Sequence, residues 1–204
     1  MFSNQILFAG AFALGAPLAV NAQGLPVVPG GVATPLPHVI FETEMGGDSD
    51  DAAALGFLHH LADTREIRLL AVMHNGNNEW GGAAISAINT YYGRPNLPIG
   101  TYRTAAEAGR PGYHPLVDQT RPNGPRQALS YTGATSVGRW VRLLAETYPC
   151  AYKPRLQFPD AVDVYVDVMA SAPDDSVVIV NAGYLGNLSN LIAWKDIDSP
   201  ARRL

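Results

Sequence analysis

Between Glu42 and Asp51 the chain carries five carboxylates, Glu42, Glu44, Asp48, Asp50 and Asp51, and no Lys or Arg occurs before Arg65. Gly46 and Gly47 interrupt the acids and let the backbone fold them toward a common point. Carboxylates this close repel one another unless protons or a cation bind them. A solvated acidic loop is the plain alternative. Oxygen donors alone suit a hard divalent cation, Ca²⁺ with roughly six to eight oxygens or Mg²⁺ with a tighter octahedron. Glu44, Asp48, Asp50 and Asp51 supply several of these, and a main-chain carbonyl near Ala182 could add another. Such a set could bind a cation, activate water and hold sugar hydroxyls, which is a hydrolytic arrangement.

A second polar cluster, His74-Asn75-Gly76-Asn77-Asn78, offers neutral groups. Asn77 and Asn78 suit hydroxyls or a leaving base better than phosphate. The chain has no Gly-x-x-x-x-Gly-Lys loop and no conspicuous basic cluster beside the acids, so phosphate substrates are disfavoured. A phosphatase with a strand-end Asp nucleophile is disfavoured too, because Glu42 and Glu44 hold those positions. His114 could protonate a leaving base, against the simpler reading of a surface histidine. The single cysteine, Cys150, permits no internal disulfide and reads as a structural thiol. A net charge of -4 and a pI near 5.7 leave no electrostatic footprint for nucleic acid.

These groups need a frame. Val39-Ile40-Phe41, bounded by Pro37 and the acidic turn, reads as a buried parallel strand. Asp50 and Asp51 stand at a helix start, capping free N–H groups at its positive end. That helix continues through Leu55, Leu58 and Leu61, with His59 and His60 on its flank. A strand over 67–73, a helix over 82–92 and a strand over 97–100 complete a β-α-β-α-β order, which implies a parallel sheet. Residues 101–125 read as a long loop. Helices are expected over 136–146 and 160–171, the second burying Val162, Tyr165, Val166 and Met169. A β-branched strand over 176–180 leads through a turn into a last helix ending at Trp194. Tyr91, Tyr92 and Trp140 are expected in the core. The fold class is therefore α/β, an open and mostly parallel Rossmann-like sheet with helices on both faces. Every chemically interesting cluster falls at the carboxyl end of a strand, where open α/β sheets bind ligands. Asn187-Leu188-Ser189 fits a glycosylation acceptor, but its place at a strand-to-helix turn beside the site argues that it is not occupied.

Length allows one domain. Residues 1–22 read as a secretory signal peptide, with an apolar run and small residues before a cut after Ala22. Residues 23–37 form an extended Pro/Gly/Val-rich lead-in, and 38–204 the α/β domain. The expectation is a secreted protein, free of membrane contact after cleavage.

Glu42-Thr43-Glu44-Met45-Gly46-Gly47-Asp48-Ser49-Asp50-Asp51-Ala52 resembles the amino-terminal motif of the inosine-uridine preferring nucleoside hydrolases. The stretch from Ala87 to Gly100 is similar to that family's second helix and strand. Val178-Ile179-Val180-Asn181-Ala182-Gly183-Tyr184-Leu185-Gly186-Asn187-Leu188 resembles its strand leading into a Gly-Pro-Leu-Thr-Asn turn. The three matches occur in family order and span most of 38–198.

The resemblance implies a nucleoside hydrolase-like fold, a Ca²⁺ cofactor and a small-molecule nucleoside substrate. The N-glycosidic bond of a ribonucleoside would be cut to base and ribose by Ca²⁺-activated water attacking the anomeric carbon. Carried over by position, Asp51 would be a bidentate Ca²⁺ ligand and Asp50 would hold ribose hydroxyls. Glu44 would be ligand and general base, a role open to Asp48 as well. Ala182 would give its carbonyl to the metal, and Asn78 would contact the ribose. The sequence departs from the family in three ways. Glu42 and Glu44 replace Asp, Gly186 replaces Thr, and the carboxy-terminal segments that complete the Ca²⁺ shell are missing. A catalytically inactive chain that binds a metal or sugar is the alternative. Lost strands would expose apolar surface to a partner, a homo-oligomer among them.

Overall fold

Apolar runs that end at polar turns become strands, and the amphipathic stretches between them become helices. In chain order these are β1 (His38–Thr43), α1 (Asp50–Asp63), β2 (Arg68–His74), α2 (Gly81–Tyr91), β3 (Ile99–Thr101), α3 (Ala105–Ala108), α4 (Arg139–Thr147), α5 (Ala161–Ser171), β4 (Val177–Asn181) and α6 (Gly186–Lys195). The computed structural model describes residues 36–76, 78–110, 113, 139–151 and 153–195. The signal and almost all of the lead-in expected from the sequence, with Asn77 and His114, lie outside the described residues.

The four strands form an open sheet in the order β3-β2-β1-β4, with every pairing parallel. β1 is central and buried on both faces, as a parallel strand covered by helices should be. Its side chains alternate between two cores. Val39 and Phe41 pack with Leu55 and Leu58 of α1, Ile85 of α2 and Val141 of α4. Ile40 points the other way, to Ala161, Val164 and Tyr165 of α5, with Leu188 and Leu191 of α6 beside them. Helices on both faces follow directly from this alternation. The register steps between Val39 and Ile40, from Leu69 to Ala71 on β2, so Leu70 is the extra residue of a bulge.

From β1 the chain steps to β2 and β3 on one side, whereas β4 pairs with the opposite edge of β1. The direction of winding thus reverses between β1 and β4. A crevice opens outside the carboxyl ends of two such strands, because the loops leaving them part toward opposite faces. The acidic turn leaves β1 there, and the Ala182–Gly183 turn leaves β4.

The differences from the sequence reading are local. Tyr91 is not core: it ends α2 at 81% exposure, where the apolar stripe of the helix has run out. Tyr92 instead stacks on buried His59, ring centres 4.7 Å apart. His59 is also bonded to Asn89 Oδ1 at 2.9 Å, so it joins α1 to α2. The expected long loop starts with ordered structure, since a capping box between Thr104 and Glu107 nucleates α3. Buried Arg103 donates to Thr101 Oγ1 at 2.6 Å and to the Leu156 carbonyl at 3.1 Å, pinning β3 to the 3-10 turn at Arg155–Gln157. Cys150 is a free thiol whose Sγ contacts the Ala145 carbonyl at 3.3 Å, in keeping with a structural role. On edge strand β4, Val178 and Val180 share the face of Val39 and Phe41 but remain exposed. Among the described residues no helix is long and apolar enough to cross a membrane.

Candidate functional site

The acidic turn is built on a buried hinge. Beyond β1, the Met45 N–H donates to Thr43 Oγ1 at 3.1 Å, and the Met45 side chain is wholly enclosed in the core. Gly46 then takes a φ of +143°, which L side chains rarely adopt. A Cβ on Gly46 would also lie 2.7 Å from Asn78 Nδ2. The chain next enters α1, with Ser49 at the N-cap making no side-chain cap bond and Asp50 and Asp51 in the first turn. The sequence suggested that these acids cap the helix; they sit one step later and gain from its positive end instead.

Carboxylate oxygens of Asp48, Asp50 and Asp51 all lie within 4.8 Å of one another. Asp48 and Asp50 face solvent, whereas Asp51 is 2% exposed. Its Oδ1 is buried with no hydrogen-bond partner. Burial pushes the Asp51 carboxyl up to about 6, the Thr43 hydroxyl holds it down in part, and the charges of Asp50, Glu44 and Asp48 raise it further. A buried acceptor facing like charges is costly unless something positive meets it.

Supports lie beneath the turn on β2 and on β1 itself. His74, at the end of β2, is fully buried and donates from Nε2 to the Met45 carbonyl at 3.1 Å. Burial holds its imidazole neutral, down to about 4. It therefore props the acidic turn and is no proton donor at neutral pH. Gly81 gives it room: a Cβ there would stand 2.2 Å from His74 Nε2. Gly81→Ala is expected to cost about 1–3 kcal/mol through overpacking, read as a lower denaturation midpoint at unchanged slope.

The deepest support is Glu42, which points from β1 into the α5–α6 face and is fully buried. Tyr165 OH donates to Glu42 Oε1 at 2.6 Å and Asn187 Nδ2 to Oε2 at 3.0 Å. Asn75 adds a bond to the same carboxyl. Burial outweighs these bonds and pushes Glu42 up to about 7. Asn75 also donates to the Tyr184 carbonyl at 2.7 Å, joining the β2 loop to the β4–α6 turn. Neither Glu42 nor Asn75, Tyr165 and Asn187 stood out as site residues in the sequence. The available signal was an acid on the apolar side of β1, two residues beyond Ile40.

The residues singled out from the sequence divide as follows. Asp48, Asp50 and Asp51 converge; Glu44 is half-buried beside them and is not one of the converging three, though its charge is felt at Asp51. Ala182 follows β4, and its N–H donates to the Glu42 carbonyl at 2.9 Å. The neighbouring Gly183 presses on the acidic turn so closely that a Cβ would lie 2.9 Å from Glu44 N. Asn78 is buried under Gly46, its Oδ1 taken by the Trp80 N–H at 2.8 Å. Asn187 is 1% exposed and its amide nitrogen is bonded to Glu42, so a glycan could not attach without unfolding α6. Protein made in a glycosylating host is expected to carry no mass increment at Asn187.

No protein-family model and no curated protein matches this chain. Among solved structures, a plant nucleoside hydrolase is similar with a TM-score of 0.45 at 18% identity, over 78% of this chain and 43% of that one. The chain thus spans less than half the length of that enzyme, and a likeness of that size says nothing about the reaction.

The donor set itself says more. Three converging carboxylates, one with an orphaned buried oxygen, form an all-oxygen donor set of the kind that suits a hard divalent cation. Soft-metal ligands are missing from the cluster, which holds neither Cys nor His.

Proposed function

We propose that the chain hydrolyses the N-glycosidic bond of ribonucleosides to free base and ribose, with Ca²⁺ as cofactor. The observation that carries this reading is the buried, unpartnered Oδ1 of Asp51 inside a converging trio of acids at the β1–β4 switch point. The three ordered motif resemblances supply the reaction class. Asp48 and Asp51 would hold the cation, joined by Glu44 and the Ala182 carbonyl from the opposite turn. When bound, the cation lowers the pKa of a coordinated water and screens the acids from one another. The protein's own groups do the rest. Glu44 or Asp48 takes the proton from the attacking water, the first a carboxylate beside the cluster and the second one within it. Asp50, exposed next to Asp51, accepts hydrogen bonds from ribose hydroxyls, and Asn77 and Asn78 are the amides proposed to contact the sugar or base. The apolar leader-like segment supports secretion, which sequencing the amino terminus of exported protein would test.

A second reading has one observation in its favour. Glu44, the first choice for base and ligand, is not among the converging acids. A chain that binds a cation or sugar without turnover would need only the trio. Calorimetry and sugar release, measured on one preparation, separate the two: cation binding with ribose release supports hydrolysis, and binding without release supports the inactive form.

A further inference from the structure

Two turns face each other across the switch point, and neither is held by its own strand alone. The acidic turn hangs from β1, while the Ala182–Gly183 turn runs from β4 into α6. Glu42 lies beneath both. Its backbone carbonyl takes the Ala182 N–H at 2.9 Å. Its side chain takes Asn187 Nδ2 at 3.0 Å, from the second residue of α6, and Tyr165 OH at 2.6 Å, from α5. Asn187 closes the β4–α6 turn, so the Glu42–Asn187 bond fixes where that turn ends. The turn's own geometry is local, since the Gly183 N–H donates to Asn181 Oδ1 at 2.7 Å and Asn181 Nδ2 to the Tyr184 carbonyl at 3.2 Å. What those local bonds do not set is the distance from the turn to the acids.

We propose that Glu42 is a positioning residue, whose carboxylate clamps the β4–α6 turn through Asn187 and so sets the Ala182 side of the site against the acidic turn. The cation part of this inference rests on the reading under Proposed function; the clamp itself does not. Groups behind metal ligands that orient them typically change affinity by about 10- to 100-fold when removed. The Tyr165 bond leads to α5, which carries no part of the site, and serves as the built-in comparison.

The experiment is amide hydrogen exchange at Ala182 and Gly183, paired with Ca²⁺ titration by calorimetry, on the full chain. Asn187→Leu is expected to speed exchange at both amides about tenfold or more and to weaken Ca²⁺ binding at least about tenfold. Tyr165→Phe, which cuts the other bond of the same carboxylate, is expected to leave both within about twofold. A merely structural role would move the two variants alike, and that result overturns the proposal. Unchanged exchange in Asn187→Leu overturns it as well. If wild-type protein takes up no Ca²⁺, the cation reading falls, while the exchange comparison still decides the clamp. Should Asn187→Leu fail to fold, Asn187→Ala carries the same comparison, because it removes the Glu42 bond without placing a larger group in the turn.

Discussion

Asp51→Asn is expected to make the cation-free protein more stable at pH 7 while removing its response to Ca²⁺. The two effects have one origin. Asp51 is 2% exposed, its Oδ1 has no partner, and burial with three neighbouring acids pushes its carboxyl up to about 6. In the unfolded chain it ionises near the ordinary 3.8. Below about pH 4 the group is protonated in both states and imposes nothing. Between about pH 4 and 6 the unfolded chain ionises this acid while the folded protein keeps it protonated, so stability falls across that window and the loss is complete above 6. At pH 7 the loss is on the order of 3 kcal/mol, which a neutral Asn of the same shape recovers. The gain from Asp51→Asn, measured by urea titration in EDTA, should thus be near zero at pH 4 and full above pH 6. Saturating Ca²⁺ should stabilise wild type, by about 2.7 kcal/mol at a hundred times Kd, and leave the variant unmoved. A variant that is less stable than wild type in EDTA at pH 7 would mean that Asp51 serves the fold and not a ligand.

The second large effect is the pH dependence of cation binding itself. Below about pH 6 a proton occupies Asp51, so each bound cation must displace one. Apparent affinity should drop about tenfold per pH unit from 6 toward 4, with close to one proton released per cation at pH 5. Calorimetry in two buffers of different ionisation heat reads that proton directly. Glu42, pushed up to about 7, lies under the site and is not among the converging acids, so its proton should stay in place. An affinity that is level between pH 7 and pH 5 would remove Asp51 from the ligand set.

Much of the frame was legible because its signals were local. Val39-Ile40-Phe41 and Val177-Val178-Ile179-Val180 have no polar break, and each meets its turn at the carboxyl end, so the parallel sheet and the site edge could be read directly. The acidic trio was legible for the same reason: Asp48, Asp50 and Asp51 are sequence neighbours on a glycine turn. What stayed hidden depends on contacts between distant residues. Glu42 and Asn187 are 145 positions apart, and no spacing rule predicts their bond. Glu44 looked equivalent to Asp48 as a ligand because a carboxylate at a strand end has no sequence mark for the direction it takes. Asn78 carried the right chemistry for a sugar contact, yet its oxygen is spent on the Trp80 N–H in a local turn. His74 read as a polar loop residue, but the close approach of Gly81 encloses it.

The most direct test of hydrolysis at the acidic turn is release of reducing sugar from inosine and from uridine by the purified, folded chain, with Ca²⁺, with EDTA, and in Asp51→Asn. Ribose should appear with Ca²⁺, stop with EDTA, return when Ca²⁺ is restored, and be absent in the variant. Folded protein that binds Ca²⁺ at Asp51 and releases no ribose from either nucleoside would contradict the proposed activity.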